Sequence, residues 1–257
     1  MLHQLKSYGK FLFRSTNQHG VHSPFVYNLV TQCFYDNKKY VAYATLKKHR
    51  KKILADTSII SITDFGAGSR VFKSNERAVH AIAKNAGIST KRQELLLRLA
   101  TYFQPESILE LGTSLGMGTM ALALGAPSAK ITTVEGCAAT SAKAETYFKA
   151  FGIENINVET STFEAFFQHT HSKTFNFVLV DGNHNKEATL AYFKTLLKYT
   201  NNDSVFIFDD IYWSPQMTEA WQEIIRHPDV TVSIDTFQWG LVFFRKEQLK
   251  QHFVVRT

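Results

Sequence analysis

Apolar residues in the stretch PFVYNLVTQCFY (Phe25, Leu29, Val30, Cys33, Phe34) recur at spacings of three and four, which predicts an amphipathic helix. Ser23 and Pro24 supply its start signal. From Lys91 onward two periods take turns. KRQELLLRLATYF reads as a helix stopped near Pro105, SILELG as a buried strand, GTMALALGA as a helix and KITTVEG as a strand. Next come a helix from Ala138 to Phe151, the strand INVET, the helix STFEAFFQH, the strand FNFVLVDG, a helix from Lys186 to Tyr199 and the strand SVFIFDD. Strands that alternate with helices are joined by right-handed crossovers, which builds a parallel sheet covered on both faces. The rhythm breaks in VTVSIDTFQWGLVFFRK, where two strand-like runs, Val230 to Phe237 and Gly240 to Arg245, are separated only by Gln238 and Trp239. That spacing predicts an antiparallel hairpin. The expected fold is α/β: a doubly wound, Rossmann-like, mostly parallel sheet of seven strands ending in the hairpin, with residues 1–90 as a helical extension or lid and residues 91–257 as the main domain.

Composition narrows this picture without redirecting it. Apolar residues at 44% and charged residues at 20% suit a folded soluble chain. A formal charge of +7 would suit an anionic partner, yet the basic residues are dispersed apart from KKHRKK, Lys47 to Lys52, which reads as a solvated helix face. Cys33 and Cys137, the only cysteines, have no metal-ligand spacing and form no disulfide framework. The first residues lack the apolar core of a secretion signal, and no run is long enough to span a membrane, so the expected location is cytoplasmic.

Two glycine-bearing stretches compete as a nucleotide loop: DFGAGSR, from Asp64 to Arg70, and ELGTSLGMGT, from Glu110 to Thr119. A loop that holds a nucleoside needs a strand before it, a helix after it, and a second strand ending in an acid that takes the ribose hydroxyls. The second stretch meets these conditions, with Glu135 ending the next strand 23 residues after Gly112. After DFGAGSR no strand ending in an acid appears before the next helix, so that stretch reads as a turn or part of a substrate wall. The spacing G-x-x-x-G-x-G departs from the dinucleotide-dehydrogenase pattern, and no P-loop is present.

The run ELGTSLGMGT resembles the first motif of class I S-adenosylmethionine-dependent methyltransferases, in the form found in the catechol and caffeoyl-CoA O-methyltransferase group, and the likeness extends over about Lys91 to Lys246. It implies S-adenosylmethionine as cofactor. Gly112 and Gly116 would let the backbone approach the methionine moiety, Thr113 and Ser114 would add polar contacts, and Glu110 would lie near the amino-acid part. Glu135, with Gly136 beside it, would grip the ribose, because a carboxylate only accepts and a vicinal diol offers two donors. Thr162 and Phe163 fall where the adenine is met, though a helix cap and a core aromatic explain them equally well.

Two strand ends are acidic: Asp181 in VDGNH, and Asp209 with Asp210 in FDD. In the resembled group three such positions hold a divalent cation, here Asp181, Asp209 and Asp210, and oxygen ligands of this kind suit magnesium or another hard divalent ion. Asp181 would also touch the cofactor. Two departures stand out: Asp210 replaces the group's asparagine, and His184 replaces its catalytic lysine, so that Asp181 and His184 become the candidate catalytic pair, with histidine able to serve as a general base. The segment HGVHSPF, from His19 to Phe25, together with DFGAGSR, resembles stretches of little-characterised bacterial methyltransferases, and His19, His22, Asp64 and Arg70 could cover the reaction centre. Trp213 and Trp239 could wall a planar acceptor. The reading is O-methylation of a small-molecule acceptor, with no nucleic-acid or membrane partner and with a homodimer compatible. RNA or protein methylation and a non-catalytic cofactor-binding scaffold are the alternatives.

Overall fold

The structure, a computed structural model, describes residues 2–65, 72, 74–170 and 174–257. In chain order the helices and strands are α1 (Leu2–Arg14), α2 (Pro24–Leu29) running into a π-helical turn (Val30–Phe34), α3 (Ala42–Leu54), β1 (Ile59–Ser61), β2 (Glu76–Ala78), α4 (Val79–Ala86), α5 (Thr90–Phe103) and β3 (Ser107–Leu111). These are followed by α6 (Met117–Gly125), β4 (Lys130–Glu135), α7 (Ala138–Ala150), β5 (Ile156–Thr160), α8 (Phe163–His169), β6 (Phe177–Val180), α9 (Lys186–Leu196), β7 (Val205–Asp209), α10 (Pro215–Arg226), β8 (Val232–Asp235), β9 (Trp239–Phe243) and β10 (Gln251–Val254). The chain divides into two compact units, Asp36–Thr170 in one and Met1–Tyr35 with His171–Thr257 in the other.

In the unit Asp36–Thr170, β3, β4 and β5 run parallel in that order, with Ser107 opposite Lys130 and Ile131 opposite Ile156. β3 is buried over its last four residues, as a strand covered on both faces must be. Ahead of them β1 and β2 form a short antiparallel hairpin, Ile59 opposite Ala78. Ile60 and Ile62 from this hairpin side pack on a buried cluster of Ile53, Val79, Ile82, Leu115, Met117 and Tyr147. The basic run of α3 is a solvated face as expected: Lys47, Lys48, Lys51 and Lys52 are exposed, whereas Leu46, His49 and Ile53 point into the core.

In the other unit the strand order is β10-β8-β9-β7-β6. β6 and β7 are parallel, β9 is antiparallel to both β7 and β8, and the β8–β9 pair is the expected terminal hairpin. β10 is one strand more than the seven expected: it lies parallel to β8, with Gln251 opposite Val232. α2 begins as predicted, with the Ser23 hydroxyl accepting from Val26 N and Pro24 in the first turn. α10 uses the same device, Ser214 followed by Pro215. Residues 16 and 255 are bridged, with Thr16 N donating to Val254 O at 2.9 Å.

Candidate active site

The turn after β3 is shaped by left-handed backbone. Gly112 has φ 107°, Ser114 φ 48° and Gly116 φ 77°, a region that glycine enters at no steric cost. Gly116 has a second reason to be glycine: a Cβ there would stand 2.4 Å from the Phe148 ring of α7, so its bareness lets α6 and α7 pack closely. At the end of β4, Glu135 is turned toward this loop. One carboxylate oxygen accepts from Ser114 N at 2.9 Å and the other from Cys137 N at 2.9 Å. Burial raises its pKa, the backbone donors pull it back, and the Asp64 charge adds to the rise.

Glu110 behaves differently. It is 1% exposed and accepts from the hydroxyls of Thr119 at 2.5 Å and Thr133 at 2.6 Å. Thr133 in turn meets the Thr113 hydroxyl at 2.6 Å. Burial pushes the Glu110 carboxyl up to about 7, against the lowering effect of the two threonines and with the Glu135 charge raising it further. Glu110 and the Thr113 side chain are thus members of an internal network beneath the turn. Thr162 caps α8, its hydroxyl accepting from Ala165 N at 3.2 Å, and Phe163 is half-buried at the first turn.

Residues that sequence reasoning did not connect to the turn also reach it. A Cβ built on Gly136 would lie 2.6 Å from Cδ2 of Phe65, whose ring is 55% exposed. Thr63 N donates to the Cys137 thiol sulfur at 3.4 Å, and that thiol donates to Ser61 O at 3.7 Å. Asp64 pairs with Arg77 at 3.7 Å. Arg70 and the glycines at 66 and 68 lie outside the described residues. The available signal was a lone aromatic in an otherwise polar, glycine-rich stretch.

The acidic strand ends belong to the other unit. Asp181, His184 and Asp209 each offer an atom within 4.8 Å of the others, a grouping able to hold a metal ion. His184 Nε2 is 3.8 Å from Asp181 Oδ1, and Asp209 is buried at the end of β7. Of the expected trio this grouping takes in Asp181 and Asp209, with His184 as its third member. The chain leaves β7 through Asp210 at φ 51°. Asn183 at φ 67° and His184 at φ 34° shape the loop after β6, where the Asn183 side-chain amide donates to Tyr192 OH at 3.0 Å. The Trp213 ring lies 5.9 Å from that of His184. Trp239 is 2% exposed and sits in β9 opposite Asp209, so it is a core residue rather than an acceptor wall. In HGVHSPF, His19 and His22 are exposed, while Phe25 packs edge-on against Phe243 at 5.0 Å and under the Arg245 guanidinium at 4.5 Å.

Residues 109–211 match the family model of a methyltransferase domain. Several solved structures share the chain's fold. The O-methyltransferase TomG from Streptomyces achromogenes, involved in tomaymycin synthesis and solved with S-adenosylmethionine, is 16% identical; the match covers 84% of this chain and 95% of that one at a TM-score of 0.57. An O-methyltransferase from Bacillus cereus, solved with S-adenosylhomocysteine, is 16% identical over 83% of this chain and 95% of its own, at 0.55. The Podospora anserina methyltransferase PaMTH1, bound to S-adenosylhomocysteine, is 13% identical over 88% and 97%, at 0.60. No curated protein matches the chain in sequence. Among its described residues no helix is long and apolar enough to cross a membrane.

Proposed function

We propose that this S-adenosylmethionine-dependent methyltransferase methylates a hydroxyl of a small-molecule acceptor with the help of a divalent cation. The observation that carries the proposal is the grouping of Asp181, His184 and Asp209 within 4.8 Å. Two carboxylates and one imidazole form a mixed oxygen and nitrogen donor set that suits manganese or a softer divalent ion better than magnesium, which would use the two aspartates alone, and the buried Asp209 favours a defined geometry. A cation held by Asp181, His184 and Asp209 would lower the pKa of an acceptor hydroxyl and orient its oxygen. If the cation uses only the aspartates, His184 takes the acceptor proton on an imidazole nitrogen. On the cofactor side Glu135 holds the ribose diol, with Ser114 N and Cys137 N fixing the carboxylate in place. Glu110 and Thr113 then act from beneath the turn, through its shape.

A cytoplasmic setting belongs to the same proposal, and two buried cysteines that form no disulfide, Cys33 and Cys137, support it. Titration calorimetry with S-adenosylmethionine and S-adenosylhomocysteine, repeated with magnesium and with a chelator, tests both halves. The expected result is cofactor binding in both conditions, with methylation of a hydroxyl-bearing acceptor only when the metal is present. Cofactor binding with chelator-resistant turnover would remove the cation from the reaction. Preference for a nicotinamide dinucleotide would overturn the cofactor assignment.

A further inference from the structure

We infer that Phe65 supplies the aromatic face on which the cofactor's nucleobase rests, in place of a side chain that residue 136 lacks. The inference rests on the cofactor reading above and adds a residue from outside the strand-turn-helix that carries the other contacts. In a nucleoside the base hangs from the ribose carbon next to the hydroxyl-bearing ones. A base whose ribose is gripped by Glu135 therefore falls close to the next residue along the strand end. That residue is Gly136, which offers no surface of its own. Phe65 fills the place: its Cδ2, Cε2 and Cγ atoms lie 2.6, 3.0 and 3.3 Å from where a Cβ on Gly136 would be.

The ring is presented rather than buried, with 55% of the residue exposed beside a carboxylate committed to the loop. An aromatic so placed has an open π-face, and purines stack on such faces whatever their edge pattern. The segment that delivers it is anchored along its length. Asp56, at its base, accepts from Tyr147 OH at 2.6 Å and pairs with Lys143 at 2.8 Å, both on α7. Ile60 and Ile62 are packed on the buried cluster, Thr63 is tied to Cys137, and Asp64 is paired with Arg77. These anchors hold the ring over Gly136 before any ligand arrives, so little ordering remains to oppose stacking.

The test compares the full chain with Phe65→Ala, Phe65→Leu and Phe65→Trp by titration calorimetry with S-adenosylhomocysteine and with 5′-methylthioadenosine, after matching melting temperatures without ligand. Phe65→Ala should weaken both ligands by about ten-fold or more, the range expected for loss of one base–aromatic stack. Phe65→Leu, which keeps the bulk and loses the π-face, should stay clearly weaker than the parent chain. Phe65→Trp should bind at least as well, and its added emission should be quenched at saturation. Affinity of Phe65→Ala within two-fold of the parent, or Phe65→Leu equal to the parent, overturns the inference and leaves the cofactor reading standing. A tighter Phe65→Ala also overturns it, since the ring would then be occupying the nucleoside's place. A parent chain that binds neither ligand sinks the cofactor reading itself.

Discussion

The Gly112 turn and the loops that follow β6 and β7 treat left-handed backbone in opposite ways. At the turn two of the three positive-φ positions are glycines, and the carboxylate proposed for the ribose, Glu135, comes from a regular strand end with its oxygens already occupied by backbone N–H groups. In the acidic loops the positive-φ positions are Asn183, His184 and Asp210, all of which carry side chains. Left-handed backbone costs a residue with a Cβ roughly 1–2 kcal/mol, less for Asn and Asp. The turn is thus relaxed and set before ligand arrives, whereas the acidic loops keep strain where a side chain has to be presented. His184 is the plainest case: glycine would relieve its φ of 34° but would remove one of the three potential metal ligands.

The comparison predicts that the two regions fail differently. Asp209→Ala should lower kcat by about three orders of magnitude, within the range of a lost catalytic group, while S-adenosylhomocysteine affinity measured by calorimetry changes less than about three-fold. Loss of cofactor affinity in that variant would break the proposed division of labour. Glu135→Gln should do the reverse, weakening S-adenosylhomocysteine by roughly ten- to a hundred-fold, about 1.5–3 kcal/mol for a hydrogen bond to a charged group.

Each unit also carries a histidine whose pKa is lowered to about 4 from 6.5, the buried His49 and the surface His252 of β10, in both cases mainly by loss of hydration. His49 is packed edge-on between Tyr147 and Phe151, and neither of its ring nitrogens finds a partner among the described residues, whereas His252 Nδ1 meets the Ser233 hydroxyl at 2.9 Å. Between pH 6.5 and 4 the unfolded chain binds protons at these two sites that the folded chain excludes. Their stabilising effect is full above that window and is lost as pH falls through it, by roughly 2–3 kcal/mol for His49. Melting curves of His49→Phe should lose part of this acid sensitivity, and an unchanged pH profile would show that the ring is hydrated. The smallest effect expected is that of Asp210→Gly, which relieves φ 51° outside the metal-ligand grouping. It should stabilise the chain by less than about 1 kcal/mol by denaturant titration.

What could be read from the sequence follows how local the physics is. The alternation from α5 to β7 was legible because buried parallel strands and amphipathic helices carry contrasting periods over adjacent residues. The position of Glu135, at the end of β4 and facing the Gly112 turn, was legible because a strand-ending acid depends on one crossover. β10 was not: QHFV is short and half polar, and its partner β8 becomes evident only through tertiary pairing. α10 was open to reading, since Ser214–Pro215 repeats the start signal of Ser23–Pro24, yet it falls between two strong strands that set the expected rhythm. The approach of His184 to Asp181 and Asp209 turns on loop dihedral angles, which no residue pattern encodes. The contact of Phe65 with Gly136 joins residues 71 apart through a hairpin whose strands are three residues each, too short for a periodic signal.

The bridge between residues 16 and 255 bears on biosynthesis. Asp36–Thr170 is one uninterrupted stretch and can acquire its contacts as it leaves the ribosome, but the strand that receives Thr16 is translated more than two hundred residues later. At typical elongation rates the nascent amino-terminal segment waits roughly 10–40 s for its partner. During that interval the apolar side chains of α1 and α2 lack the later residues they pack on, Phe237 and Phe243 among them.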